Sequence, residues 1–342
     1  MLRHLATSLP LVVFGALLPA GDGPDVVSPI EASAPQPPLE VQFGHPERRI
    51  IRVPNGEELV FDVFVDLGVE ARAGTVELSS GAEPFSVGLP RPGMPIEASG
   101  KRTAWIESHA YGAHLGYRLD HRVRTSILPQ DFPRILHTDT QTGSENRKRE
   151  LKIGAEGGEE LAWARKNSHC KGCDRLEHFV ESNLPWGDDH HCKKCKRMEH
   201  REWREPTTRE IPEGTVDLLG AIYLARTMIE NGEDEIEFPM LTSLDLWTVT
   251  LRRGGEKTKS SSAGKFSCTK IVLATEVPEG EDADEEDFKG LFGMHGDIAI
   301  WVETSTGIPV VIEGKVPIGP LDLGVSVRLR EFSGTPPEFV GR

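Results

Sequence analysis

"LGYRLDHRVRTSILPQDFPRILHTDTQTGSENRKRELKIG", from Leu115 to Gly154, holds three short runs rich in β-forming residues. Pro-Gln-Asp-Phe-Pro and Gly-Ser-Glu-Asn punctuate them, and no helical periodicity intervenes. The same style extends in both directions. Upstream lie "IIRV", "ELVFDVFVDLG", "GTVELSS", "FSVGL" and "TAWIESHAYG"; downstream lie "LDLWTVTLRR", "FSCTKIVLATEV", "GDIAIWVET", "IPVVIEGKVPIG" and "LDLGVSVRLREF". Strands this numerous, without alternating helices, predict a mainly β fold. An antiparallel curved sheet would close into a barrel or half-barrel.

One helix is expected, at about 215–230. "TVDLLGAIYLARTMIENG" offers Thr215 as N-cap, Asn231-Gly232 as the stop, and apolar residues at Leu218, Ile222, Ala225 and Ile229. Leu219, Tyr223 and Leu224 widen that stripe, so the helix should be buried on much of its circumference.

Composition sets limits on partners. The 342 residues carry a formal charge of −15, which repels a phosphate backbone and argues against a nucleic-acid binder. The 35 Gly and 25 Pro favour turns and short strands. Residues 1–20 read as a secretory signal peptide: Arg3 and His4 precede an apolar run from Leu5 to Leu18, with Ala20 at a cleavage point. That run is too short to span a bilayer, and no later segment is long and apolar enough. Residues 21–48, as in "GPDVVSPIEASAPQPPLE", form a Pro/Ala-rich linker, and 49–342 form the exported β-rich domain.

With these features in order, "GEELVFDVFVDLGVEARAGTVEL", "LGYRLDHRVRTSI", "TVDLLGAIYLART" and "DIAIWVETSTGIPVVIEGKVPIGPLDLGVSVRL" resemble a bacterial exported family catalogued as domain of unknown function 3108. The resemblance runs from about Gly56 to Phe332. Its most specific pieces are Asp217, Tyr223 and Arg226 on the helix and the Trp301 and Pro309 pair. It implies export and a β-rich envelope protein, and it carries over no activity or catalytic residue. The stretch 159–210 departs from the family pattern and reads as an inserted Cys/His module.

That module says nearly the same thing twice. "HCKGCDRLEH" from His169 and "HCKKCKRMEH" from His191 match at a constant offset of 22 positions. Cys170, Cys173, Cys192 and Cys195 form C-x2-C…C-x2-C with 18 residues between the pairs, a zinc-ribbon spacing. Two such turns brought together by a hairpin complete a tetrahedral S4 shell, so structural zinc is the cofactor expected. Disulfides are the serious rival, because an exported chain meets an oxidising compartment. A thioredoxin-like pair fits less well, since neither C-x-x-C opens a helix in a βαβ setting. Covalent haem fails because Asp174 and Lys196 stand where C-x-x-C-H needs His. His169, His178, His191 and His200, with Glu177 and Glu199, are further candidates as ligands or as groups orienting them. Trp163, Trp186 and Trp203 in or beside the module serve packing, with a partner surface as the sharper alternative. The acidic "EGEDADEEDF" lacks EF-hand spacing and reads as a solvated loop, and Cys268 as a free, buried thiol.

Elsewhere, "HAYGAHLGYRLDH" as one continuous strand would put His109, Tyr111, Tyr117 and His121 on one face, a possible ligand surface. Gly112 and Gly116 could break that run and change the faces. The functional expectation is an exported, periplasm-type or cell-envelope binding or scaffold protein. Its ligand would be an envelope lipid, polysaccharide or protein. The alternative is a metal-dependent or His-based hydrolase, for which no nucleophile elbow, zincin helix, P-loop or dinucleotide fingerprint occurs.

Overall fold

The computed structural model describes residues 39–42, 50–84, 102–114, 117–128, 134–143, 147–156, 159–169, 201–242, 244–281, 288, 290, 293–318 and 321–334. The expected signal peptide, most of the linker, "FSVGL" and most of the acidic run lie outside them. Two short strands, β1 (Leu39–Gln42) and β2 (Ile50–Val53), pair with each other. All other described strands join one antiparallel sheet.

The sheet has two wings, each a meander in which neighbours in sequence are neighbours in space. The first wing runs β3 (Glu57–Asp66), β4 (Glu70–Pro84), β5 (Arg102–His114), β6 (Tyr117–Leu128), β7 (Arg134–Gly143), β8 (Arg147–Glu156) and β9 (Glu159–His169). At its outer edge β10 (Arg201–Trp203) and β11 (Thr207–Glu210) pair in turn with β9. The second wing runs β12 (Glu235–Thr242), β13 (Asp245–Ser261), β14 (Gly264–Glu276), β15 (His295–Glu303), β16 (Pro309–Ile318) and β17 (Leu321–Ser333). The last strand, β17, pairs with the first of the large sheet, β3, and joins the wings.

Between the wings in sequence lies α1 (Leu218–Asn231), every residue of which from Leu219 to Ile229 is buried. It packs on β2, β5, β6 and β12, so it fills the inside of the curl. The two edges meet beside its start. Val216 bridges Met240 of β12 in parallel, and Arg209 of β11 donates to the Leu244 carbonyl at 2.7 Å. Arg209 also pairs with Glu281. No β ladder runs from β11 to β12 among the described residues, so the architecture is the open form of the expected barrel.

The expected strands that fall on described residues are present. Two local readings are corrected. Thr215 is not the N-cap: its hydroxyl donates to the Pro212 carbonyl at 2.6 Å while Val216 is held in the bridge to β12. Asp217 caps instead, accepting from the Gly220 N–H at 2.9 Å. The stop is as read, with Gly232 at φ 70°, a left-handed conformation that a Cβ disfavours. The second correction is that "HAYGAHLGYRLDH" is not one strand. β5 ends at His114 and β6 starts at Tyr117, and these two residues face each other in the ladder.

Candidate functional site

Directly opposed residues in an antiparallel ladder share a face, so the registers of β5 to β9 define rows across the inner surface. The first row, Ala104, Ile127, Ile135, Ile153 and Ala162, is apolar and buried. The next runs Ile106, Thr125, His137, Leu151 and Ala164. Beyond it come Ser108, Val123, Asp139, Arg149 and Lys166, and then Ala110, His121, Gln141 and Arg147. The inner face thus passes from hydrocarbon, where α1 covers it, to a cationic end where Arg149 and Lys166 are exposed.

At the boundary sits Asp217, 1% exposed. One carboxylate oxygen caps α1, and the other accepts from the Thr125 hydroxyl and stands 2.6 Å from His137 Nδ1. Burial opposes the charge on Asp217. The hydrogen bonds from His137, Thr125 and Gly220 outweigh that penalty and hold its carboxyl below the usual range. At its other end α1 is anchored by Arg226, which donates to both oxygens of Glu57 at 2.9 and 2.8 Å and to the Thr306 carbonyl. Tyr223 lies fully buried beside this pair. Asp217 and Arg226, which with Tyr223 carried the family resemblance, are therefore the points that tie α1 to both wings.

One row further out, Asp139 stands 2.8 Å from His121 Nε2 and 3.4 Å from Arg147. Burial again works against the carboxylate, and His121 and the arginines prevail, so its pKa is lowered. At the opposite end of β9, Glu160 behaves in the other sense. Burial and the nearby Glu213 raise its pKa to about 7, against one hydrogen bond from the Gly214 backbone, and its Oε2 is buried without a partner among the described residues.

The expected ligand face is divided by the β5–β6 hairpin. His121 lies opposite Ala110 and faces inward, whereas His109 lies opposite Arg122 and faces outward. His109 stands 3.1 Å from Asp120 and 3.5 Å from Glu77, and its ring meets Tyr111 with centroids 4.8 Å apart. Tyr111 in turn donates to Glu77 at 2.8 Å. These are outer-surface contacts. Tyr117 is placed by its backbone alone, opposite His114.

Cys170, Cys173, Cys192 and Cys195, with His178, His191, His200, Glu177 and Glu199, lie outside the described residues. His169 is described only as the last residue of β9, opposite Arg201. The ends of the expected module belong to the sheet, as β9, β10 and β11, and the described residues on either side of 170–200, His169 and Arg201, are paired. Outside the module, Cys268 is a free and buried thiol, as read, with its pKa pushed up to about 11 by burial. Trp163 and Trp203 face outward under cations: Lys152 is 4.4 Å from Trp163, and Arg165 is 4.4 Å from Trp203.

The inner residues missed by sequence reading were Thr125, His137, Asp139, Arg147, Arg149 and Glu160. A signal was present for most of them. In "RILHTDTQTG", His137, Asp139 and Gln141 share parity with the apolar Ile135, and in "RKRELKIG" Arg147 and Arg149 share parity with Leu151 and Ile153.

Both α1, with its anchoring Asp217 and Arg226, and the strands β15 and β16 with the start of β17 fall in a segment that matches a family model. Over residues 193–325 this chain is similar to the family described as "Protein of unknown function (DUF3108)". The match includes 193–210, the second half of the expected module, and leaves β3 to β9 outside it. Among solved structures, a beta-barrel-like protein of domain of unknown function DUF1849 from Brucella abortus superposes with a TM-score of 0.48 at 9% identity. That match covers 82% of this chain and 97% of that one. A putative exported protein with YmcC-like fold from Bacteroides fragilis gives a TM-score of 0.27 at 7% identity, covering 85% and 99%. The curated proteins contain no match.

Proposed function

We propose that this is an exported binding or scaffold protein of the cell envelope, which holds its ligand on the inner face of the sheet beyond α1. The observation that carries the reading is the row order on β5 to β9. Hydrocarbon is spent on packing α1, and the remaining inner surface presents Val123, His121, Arg147, Arg149 and Lys166 on paired strands. Side chains on rigid strands are held more precisely than on loops, which suits recognition. A hydrolase using His109 with His121 is disfavoured, because the two imidazoles project from opposite faces. The Asp217–His137 contact has a structural task already, in the cap and tether of α1.

The same protein carries a structural zinc on Cys170, Cys173, Cys192 and Cys195. Their spacing supports this, and so does the pairing of His169 with Arg201, which sets the first residue of the first half beside the residue that follows the second. The metal would supply cross-linking and no chemistry, as four thiolates leave no open position.

Native mass spectrometry of mature protein recovered from the periplasm tests both parts. The expected species holds one zinc with all five thiols free to alkylate after denaturation, and a retained non-protein mass. Two disulfides and no metal would refute the zinc. For the ligand, the decisive result is that a Val123→Asp variant, folded by circular dichroism, loses the retained mass; retention in that variant would move the ligand off the inner face.

A further inference from the structure

The cationic end of the inner face gathers three basic side chains on neighbouring strands. On the outer face several arginines meet carboxylates closely. Arg72 and Arg330 lie 2.7 and 3.0 Å from Asp62, Arg124 lies 3.0 Å from Glu83 and 3.2 Å from Glu107, and Arg165 lies 2.7 Å from Glu150. On the inner face Arg147 and Arg149 project from the same side of β8, two residues apart, and Lys166 stands opposite Arg149. Asp139 stands 3.4 Å from Arg147 through one oxygen and 2.8 Å from His121 through the other. Asp245, which also acts on Arg149, is shared with Arg209. The Arg147 Nε is buried with no hydrogen-bond partner among the described residues.

Two guanidinium groups placed side by side repel each other, and in a chain of net charge −15 such a pair is not a by-product of composition. What the pair offers is a set of planar, always charged donors that matches the several oxygens of one phosphate. His121, bound to Asp139, and the partly buried Val123 border it. We infer that the inner face binds an anionic, phosphate-bearing ligand, whose phosphate sits on Arg147 and Arg149 with Lys166 at its edge. This rests on the inner face being the ligand surface and names the chemistry it accepts. The phosphate could belong to a lipid headgroup or be free in solution.

Isothermal titration of the full-length mature chain distinguishes these. The probes are dihexanoyl phosphatidylglycerol below its micellar concentration, inorganic phosphate, and dodecyl maltoside as a neutral amphiphile. The proteins are wild type, Arg147→Gln, Arg149→Gln and the outer-face control Arg122→Gln, each checked for an unchanged thermal unfolding profile. The phosphatidylglycerol should bind wild type and Arg122→Gln alike and should bind each inner variant about tenfold or more weakly, as befits the loss of a charged hydrogen-bonding group. If inorganic phosphate binds with the same sensitivity, the free anion suffices; if only the lipid does, the headgroup is the source. Equal binding of a phosphate probe to wild type and both inner variants would overturn the inference. Binding of the maltoside alone, unaffected by the arginines but lost in Val123→Asp, would also overturn it while leaving the inner-face reading standing. Binding of no probe to wild type would overturn both.

Discussion

Asp217 joins three elements through one carboxylate: it caps α1, and it receives Thr125 from β6 and His137 from β7. Asp217→Ala should therefore cost more than an ordinary cap. About 1 kcal/mol follows from the lost cap, and about 1–3 kcal/mol from the partners left unsatisfied near the core, measurable as a fall in urea midpoint. The sign of the pH dependence follows from its lowered pKa. The stabilisation is fully present above the ordinary carboxylate value of 3.8 and is lost as pH falls through the lower folded value, so Asp217→Asn should flatten the acid limb of stability against pH. Glu160 acts in reverse. Its pKa rises from an ordinary 4.5 to about 7, so the folded chain holds a proton that the unfolded chain has released, and stability falls as pH rises across that interval. Glu160→Gln should remove that fall in chemical denaturation curves taken from pH 4.5 to 7.5. Asp217 was visible in the sequence as part of a family pattern, but its partners lie 92 and 80 residues away, and no local signal names them.

At the scale of elements, α1 shows what periodicity can and cannot supply. Its stripe and its Gly232 stop were legible, because apolar spacing and left-handed capping are local properties. Its N-cap was misplaced by two residues, because Val216 is claimed by β12 through a contact no helix rule anticipates. The buried Arg226–Glu57 pair, 5% and 1% exposed, anchors the helix to β3. Arg226→Met alone should destabilise by about 3–5 kcal/mol, since it strands a buried carboxylate, whereas Arg226→Met with Glu57→Met should recover much of that loss. The comparison of the two unfolding midpoints is the check. The β5–β6 hairpin teaches the complementary lesson. A period of two assigned faces correctly within each run, but the turn between them exchanged the face of His121 relative to His109, because the two flanking strands pair with Ala110 opposite His121.

For the whole molecule, the decisive contact is the pairing of β17 with β3, eight registered positions that unite the last and first strands of the described sheet in sequence and join its two wings. Each wing alone would expose a strand edge and the hydrophobic inner surface that α1 covers. A chain ending at residue 320 should therefore lose cooperative thermal unfolding altogether, and a surviving sharp transition assigned to residues 57–169 by hydrogen exchange would show that the first wing folds alone. The sequence by itself determined the β style of the chain and most of its strands, the helix α1, the charge that disfavours nucleic acid, and the doubled Cys pairs. All of these follow from local chemistry: propensity, periodicity, turn residues and spacing. Only the tertiary structure decided which face each histidine occupies, that Asp217 and Arg226 are tethers, and that Arg147, Arg149 and Lys166 meet on one surface. Those facts depend on register between strands distant in sequence, and register is set by the burial of one whole face against α1 and the opposite wing.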